Sequence, residues 1–254
     1  MIGEKPSNKI ADAVTMIRAA AGSCVALTGA GISVASGIPA FRGSQGLWDK
    51  YDPFLYAEIG NFRRQPEKSW EMLAEMLRVV ERAVPNPAHR ALAELEEMGL
   101  LRAIITQNVD SLHQAAGSRR VMEFHGANRR LICLECGFED RLQPLNEYDR
   151  LPPRCPECNT VLKPDVVFFG EAIPPAVLTE STQEAEKARL MLVIGTSANV
   201  YPAAEMPLLT LHSGGRVLEI NLEKTPLTHK VAELTIFAPA DEVLPEILRQ
   251  LQNG

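Results

Sequence analysis

Apolar and polar positions along the chain keep two rhythms. Short runs with few polar side chains occur at residues 24–28 (CVALT), 101–106 (LRAIIT), 190–194 (LMLVI), 216–220 (RVLEI) and 234–237 (LTIF), with two more at 121–124 and 166–169. Between them, apolar side chains recur three and four residues apart. Ile10, Ala13, Val14 and Ile17 do so in residues 8–21, Trp70, Leu73, Leu77 and Val80 after Pro66, and Leu92, Leu95 and Met98 in residues 87–98. The first set has strand length and the second has helical spacing. Further helices are expected at 175–187, 202–212 and 241–252. Pro66 suits a first helical turn, Asn86 a cap and Gly99 a C-terminal stop. Residues 44–65 keep neither rhythm and read as a loop with short helices. Strands apolar on both faces, alternating with helices, predict an α/β fold on a parallel sheet covered on both sides.

The predicted strands share a feature at their carboxyl ends. Each runs into glycine or polar residues: Gly29-x-Gly31, Gln107-Asn108-x-Asp110, His125-Gly126, Gly195-Thr196-Ser197 and Asn221. In an open parallel sheet, ligands bind outside those ends. The Gly29-x-Gly31 turn offers backbone N–H groups to an anion. It departs from G-x-G-x-x-G, since the next glycine is Gly37, and Asp49 and Asp52 fall in a loop rather than at the end of a second strand. A structural turn and a ligand loop both fit it. His125 could be a general base or a buried structural histidine. Asn108 and Asp110 could grip a small polar ligand, and Asp110 could cap the helix expected after it. His89, His113, His212 and His229 read as structural, and Cys24 as an inert buried thiol.

Charge and cysteine usage narrow the picture. A net charge of −6 argues against general nucleic-acid binding. Residues 19–41 carry no charge, but their glycines, serines and Pro39 suit a buried strand and loop rather than a membrane span. No basic region followed by an apolar one opens the chain, so the cytoplasm is the expected compartment. Cys133-x2-Cys136 and Cys155-x2-Cys158, 18 residues apart, have the spacing of a four-thiolate zinc site with every coordination position filled. Such a zinc is structural. Redox pairs are the alternative. Residues 126–165 hold six Lys/Arg and seven Asp/Glu, too balanced for a module that grips phosphate backbones.

Taken together, the motifs resemble the sirtuin family, as a bare catalytic core of the prokaryotic type. The likeness rests on Gly29-Ala30-Gly31-Ile32-Ser33, Gly37-Ile38-Pro39-x-Phe41-Arg42, Gly46-Leu47-Trp48, Thr106-Gln107-Asn108-Val109-Asp110, Leu112-His113, His125-Gly126, the four cysteines, Lys163-Pro164-x-Val166-Val167-x-Phe169-Gly170-Glu171, Gly195-Thr196-Ser197, Pro202-Ala203-Ala204 and Asn221, in that order. It implies a Rossmann-type domain from residues 1–43, 84–125 and 166–254, and a small domain. The small domain combines a flexible loop and helical module (44–83) with a zinc ribbon (126–165). It also implies an NAD-dependent protein-lysine deacylase with one structural zinc. There the acyl carbonyl oxygen attacks C1′ of the nicotinamide ribose, nicotinamide leaves, and the acyl group ends on ADP-ribose.

Carried residue by residue, the resemblance makes His125 the base. Asn108 orients ribose or water, Asp110 with Val109 holds the nicotinamide carboxamide, and Gln107 meets ribose hydroxyls. Gly29, Ala30, Gly31, Ser33, Phe41, Arg42 and Trp48 line the NAD loop. Gly195, Thr196 and Ser197 take phosphate, Asn221 takes the adenosine ribose, and Leu222, Glu223 and Ala240 complete that end. Val166, Val167, Phe168, Phe169 and Gly170 face Asn199 and Val200 across an acyl-lysine peptide added as a strand. The chain departs from the family at Ala40, Gly43 and Ala198-Asn199, where aspartate, serine and Leu-Val are common. Sirtuins that remove succinyl or malonyl groups carry Tyr-x-x-Arg where this chain has Leu73 and Met76. An apolar wall there favours neutral acyl groups, since a second carboxylate would be desolvated without a cation. The rival readings are a mono-ADP-ribosyltransferase, a non-catalytic NAD or ADP-ribose sensor and, from fold alone, a dehydrogenase.

Overall fold

The computed structural model describes residues 6–41 and 46–253. The chain passes through α1 (Pro6–Ala19), β1 (Cys24–Thr28), a 3-10 helix (Ala30–Ser36), α2 (Leu47–Lys50), α3 (Pro53–Tyr56), α4 (Ile59–Arg64), α5 (Pro66–Val80) and α6 (Pro87–Glu97). It continues through β2 (Leu101–Thr106), α7 (Leu112–Ala115), β3 (Val121–Glu123), β4 (Gly126–Ile132), β5 (Glu139–Arg141) and β6 (Lys163–Val166). It closes with α8 (Pro175–Lys187), β7 (Leu190–Ile194), α9 (Met206–His212), β8 (Arg216–Asn221), β9 (Leu234–Phe237) and α10 (Ala240–Gln252).

Six strands form one parallel sheet in the order β3-β2-β1-β7-β8-β9. The alternation of side chains sorts the core into two layers. Cys24 and Ala26 of β1 join Leu190 and Leu192 of β7 against α1, α6 and α10, whereas Val25 and Leu27 join Met191 and Val193 against α8 and α9. Truncating a fully buried member such as Leu92 or Ile104 to alanine costs about 2–5 kcal/mol. The strand order reverses between β1 and β7, whose carboxyl ends lie side by side with Thr28 paired to Ile194. A crevice opens at such a switch point.

The second unit is a three-stranded antiparallel sheet, β5-β4-β6, with α5 packed on it. Trp70 of α5 donates from Nε1 to the Leu162 carbonyl at 2.9 Å. Phe62, Trp70 and Leu73 share one core with Leu131, Leu145, Val161 and Phe168. The helical stretch and the cysteine-bearing stretch are therefore one hydrophobic unit. The run at 166–169 does not rejoin the parallel sheet, as its apolar content suggested. Val166 ends β6 of the small sheet, and Val167, Phe169 and Glu171 find other main-chain partners, described below.

Candidate active site

The loops leaving β1 and β7 touch backbone to backbone. Gly31 N–H donates to the Gly195 carbonyl at 2.8 Å, and a Cβ on Gly31 would lie 2.7 Å from Gly195 Cα. Gly195, at φ +58, would set a Cβ 2.5 Å from Ile32 N. The glycines are thus required first by the meeting of two loops at the switch point. Gly29, Ala30 and Gly31 also line a cavity of about 1220 Å³, so the structural and ligand readings of this turn hold together.

From β2, Gln107 donates from Nε2 to Thr196 Oγ1 at 2.9 Å. Asn108 is buried, and its Nδ2 donates to the Gly29 carbonyl (3.2 Å) and to Ser33 Oγ (3.1 Å). A carbonyl can only accept, which fixes the orientation of that amide. Its Oδ1 is buried with no partner among the described residues, in a side chain that lines the cavity. Such an acceptor calls for a donor from whatever fills the site. Ser33 Oγ donates to Asp110 Oδ2 at 2.7 Å, and Asp110 Oδ1 accepts from Leu112 N at 2.9 Å. Asp110 therefore satisfies the first N–H of α7 from the residue before the N-cap, Ser111, and is also part of the site's polar network.

His125 follows β3, whose Glu123 is paired with Thr106. Its Nδ1 lies 3.1 Å from the Gln107 carbonyl. That oxygen cannot donate, so Nδ1 carries the proton and Nε2 keeps its lone pair. Burial holds the imidazole below its ordinary pKa, partly opposed by the Gln107 carbonyl, so the ring is neutral at neutral pH. Two histidines that read as merely structural in the sequence pack against Thr28 and Ser33. His113 Nε2 is 2.9 Å from Thr28 Oγ1, and His89 Nε2 is 3.5 Å from Ser33 Oγ, with the two rings edge to face. Burial depresses His89 to about 4, against the Asp110 carboxylate, and His113 to about 3. They support the site from below. His89 also closes a capping box with Asn86, a signal present in Asn86-Pro87-x-His89.

The far side of the cavity is apolar. Phe41 stacks on Trp48 at 5.2 Å, Trp48 meets Phe169 at 6.1 Å, and Met72, Leu73, Met76 and Leu77 of α5 form the wall. At the β8 end, Asn221 donates from Nδ2 to the Thr196 carbonyl at 2.8 Å and accepts from Leu222 N at 2.9 Å. Leu222, Glu223 and Ala240 line this end. So the cavity brings together Gly29, Ala30, Gly31, Phe41, Trp48, Gln107, Asn108, Val109, His125, Gly195, Thr196, Ser197 and Asn221 with Val166, Val167, Phe168, Phe169, Gly170, Asn199 and Val200. Ser33 and Asp110 stand one layer behind the lining. Arg42 and Gly43 lie outside the described residues.

Near the cavity, buried or half-buried charged residues make contacts that the sequence does not disclose. Glu219 in β8 accepts from the hydroxyls of Thr225, Thr228 and Thr235, fastening the segment that follows β8. A lone carboxylate inside the run RVLEIN was its signal. Lys163 and Glu171, the two ends of a motif quoted for the resemblance, pair beside the 166–170 segment, a contact the motif does not disclose.

The four cysteine sulfurs all lie within 4.8 Å of one another, with Cys133–Cys158 and Cys136–Cys155 at 3.4 and 3.5 Å. A tetrahedral zinc with bonds of about 2.3 Å needs sulfurs about 3.8 Å apart, so the thiolates fit one zinc ion. No cysteine lines the cavity, and the metal belongs to the fold of the small unit.

Known proteins match this arrangement along the chain. The model of the Sir2 family matches residues 29–202. An NAD-dependent protein deacylase of Thermococcus kodakarensis is 45% identical over 234 residues, 90% of this chain and 91% of that protein. A solved Sir2 enzyme superimposes with a TM-score of 0.91 at 41% identity, covering 97% of this chain and 99% of the other. A Sir2 structure with a p53 peptide and NAD+ superimposes with a TM-score of 0.86 at 37% identity, covering 96% and 98%.

Proposed function

The chain belongs to the Sir2 family, and from that premise we propose that its cleft removes neutral acyl groups from lysine side chains of proteins, consuming NAD. The observation that carries this reading is His125, neutral, with Nδ1 tied to Gln107 and Nε2 free, on a cavity formed at the switch point. The NAD fit rests on the orphaned Asn108 Oδ1 and the polar loops after β1, β2 and β7. When bound, NAD supplies the electrophilic ribose carbon and the nicotinamide leaving group.

The chain's own residues do the rest. His125 Nε2 removes a proton from a hydroxyl set against it, and the Gln107 carbonyl steadies the imidazolium that results. Asn108 orients a ribose hydroxyl or water through Oδ1, its amide being locked by Gly29 and Ser33. Val109 faces the carboxamide end with Asp110 set behind it, from where the carboxylate reaches the carboxamide by exchanging one of its present partners, and Gln107, Gly195, Thr196, Ser197 and Asn221 hold the rest of the dinucleotide. Phe41 and Trp48 exclude water from the reacting centre. The peptide lies between residues 166–170 and 199–200. Leu73 and Met76 give its acyl chain an apolar wall.

The proposal includes the division already set out: 1–43, 84–125 and 166–254 for NAD, with 44–83 and 126–165 closing the cleft. No described helix is long and apolar enough to cross a membrane. Free thiols grouped for a metal support a reducing compartment, the cytoplasm. Nicotinamide release measured with and without an acetyl-lysine peptide tests the function. A deacylase requires the peptide, whereas release independent of it would favour ADP-ribosyl transfer or hydrolysis.

A further inference from the structure

Among the described residues, Lys163 is the one fully buried Lys or Arg, and Glu171 lies 3.0 Å from its Nζ. Burial lowers the lysine's pKa, and the Glu171 carboxylate opposes the shift. A buried ion pair is a poor source of stability, because desolvation offsets its attraction. This pair is better explained by its other partners. Lys163 Nζ donates to the Val166 carbonyl at 2.6 Å and to the Pro164 carbonyl at 3.3 Å, and lies 4.8 Å from the Phe168 ring centre. Glu171 Oε2 accepts from Phe168 N at 2.7 Å, while Glu171 N donates to the Phe168 carbonyl at 3.0 Å.

The remaining main-chain groups of the segment are held from both sides. Val167 N donates to the carbonyl of His125 itself at 2.9 Å. Phe169 N donates to Ala57 O at 2.9 Å, and Phe169 O accepts from Ile59 N at 3.0 Å. Gly126 lets the chain after His125 pass against Asp165, where a Cβ would collide with the Asp165 carbonyl. Beyond Val166 the segment has only single main-chain contacts, the Glu58–Phe169 bridge among them, in place of a continuous ladder. Lys163 and Glu171, which flank it on either side, add side-chain contacts to Val166 and Phe168.

We propose that Lys163 and Glu171 are positioning residues for the peptide substrate, clamping residues 166–170 into a rail whose register is set against His125. The proposal rests on the reading that acyl-lysine peptides lie along that rail. Lys163→Met strips the Val166 and Pro164 carbonyls of their donor and leaves the half-buried Glu171 without its cation, and Glu171→Gln leaves the Lys163 ammonium buried without a counter-charge. The acyl-lysine would then be presented out of line with the base, while the dinucleotide end stays intact.

The experiment compares wild type with Lys163→Met, Glu171→Gln and the double variant. Two substrates are used: an acetyl-lysine peptide long enough to lie along the rail, and a single acetyl-lysine blocked at both ends. ADP-ribose affinity is measured by calorimetry on each protein. Each single substitution should raise the peptide KM roughly tenfold but change the single-residue substrate by no more than about twofold. ADP-ribose affinity should stay within about twofold, and the double variant should recover part of the loss, since neither charge is then left unpaired. Equal losses on both substrates, a parallel loss of ADP-ribose binding, or variants indistinguishable from wild type on the peptide would each overturn the clamp. A wild type that releases no nicotinamide with either substrate would overturn the deacylase reading and the clamp with it.

Discussion

The two walls of the cleft are built on different principles. The wall supplied by the parallel sheet is polar and locked. Gln107, Asn108, Ser33, Asp110 and His125 are joined by hydrogen bonds of 2.7 to 3.2 Å, and most of their polar atoms have partners before any ligand arrives. The wall supplied by α5 and the aromatic group is apolar, with Met72, Leu73, Met76 and Leu77 beside Phe41 and Trp48. The contrast follows from what each wall must do. Chemistry needs donors and acceptors held in place before the transition state forms. Acceptance of an acyl chain needs only shape and a low dielectric, and the polarisable methionines adapt.

The largest effect that would break the comparison lies on the polar wall. His125→Ala should lower peptide-dependent turnover by about 10²–10⁴-fold while ADP-ribose affinity holds, as measured by nicotinamide release and calorimetry. Unchanged turnover would remove His125 from the chemistry. Next in size is the metal. A chelator strong enough to strip the four thiolates should unfold the small unit and abolish deacylation, and zinc added back should restore it. Activity that survives proven loss of zinc would separate the cysteines from the cleft's architecture.

On the apolar wall, the paired substitution Leu73→Tyr with Met76→Arg should shift preference from acetyl- toward succinyl-lysine by roughly 10- to 100-fold in the ratio of kcat/KM. Competition between the two peptides, read by mass spectrometry, gives that ratio directly. The smallest effects concern pH. His125 is depressed by burial, so the acid limb of kcat/KM should have its midpoint below 6.5. Burial lowers the pKa of His89 to about 4 and of His113 to about 3, whereas the unfolded chain protonates them near 6.5. Below 6.5 the unfolded state binds more protons, so stability present above that pH is lost as pH falls toward 4. The loss is about 1.4 kcal/mol per pH unit for each histidine, measurable by denaturant titration.

What was legible in the sequence follows the same division. The apolar strands and their polar ends announced the sheet and the site loops, because burial on both faces leaves a continuous run and binding leaves a polar stop. The cysteine spacing announced the metal site for the same local reason. The run at 166–169 misled, since an apolar run cannot state whether its partner is a parallel sheet or a small antiparallel one. The buried charges were harder still. Lys163 and Glu171 meet across a turn that only the folded chain creates, and His89 and His113 come together from α6 and α7. Glycines 29 and 31 were legible as a turn, but not that their first contact is the loop after β7.

The central claim is that the polar wall performs acyl-lysine-dependent NAD cleavage and the apolar wall selects a neutral acyl group. Its most direct test is nicotinamide release by the wild-type protein with acetyl-, hexanoyl- and succinyl-lysine peptides of one sequence, and with no peptide. The account predicts fast release with the two neutral acyl groups, at least about tenfold less with succinyl, and little without peptide. Release that ignores the peptide, or that is fastest with succinyl-lysine, would contradict it.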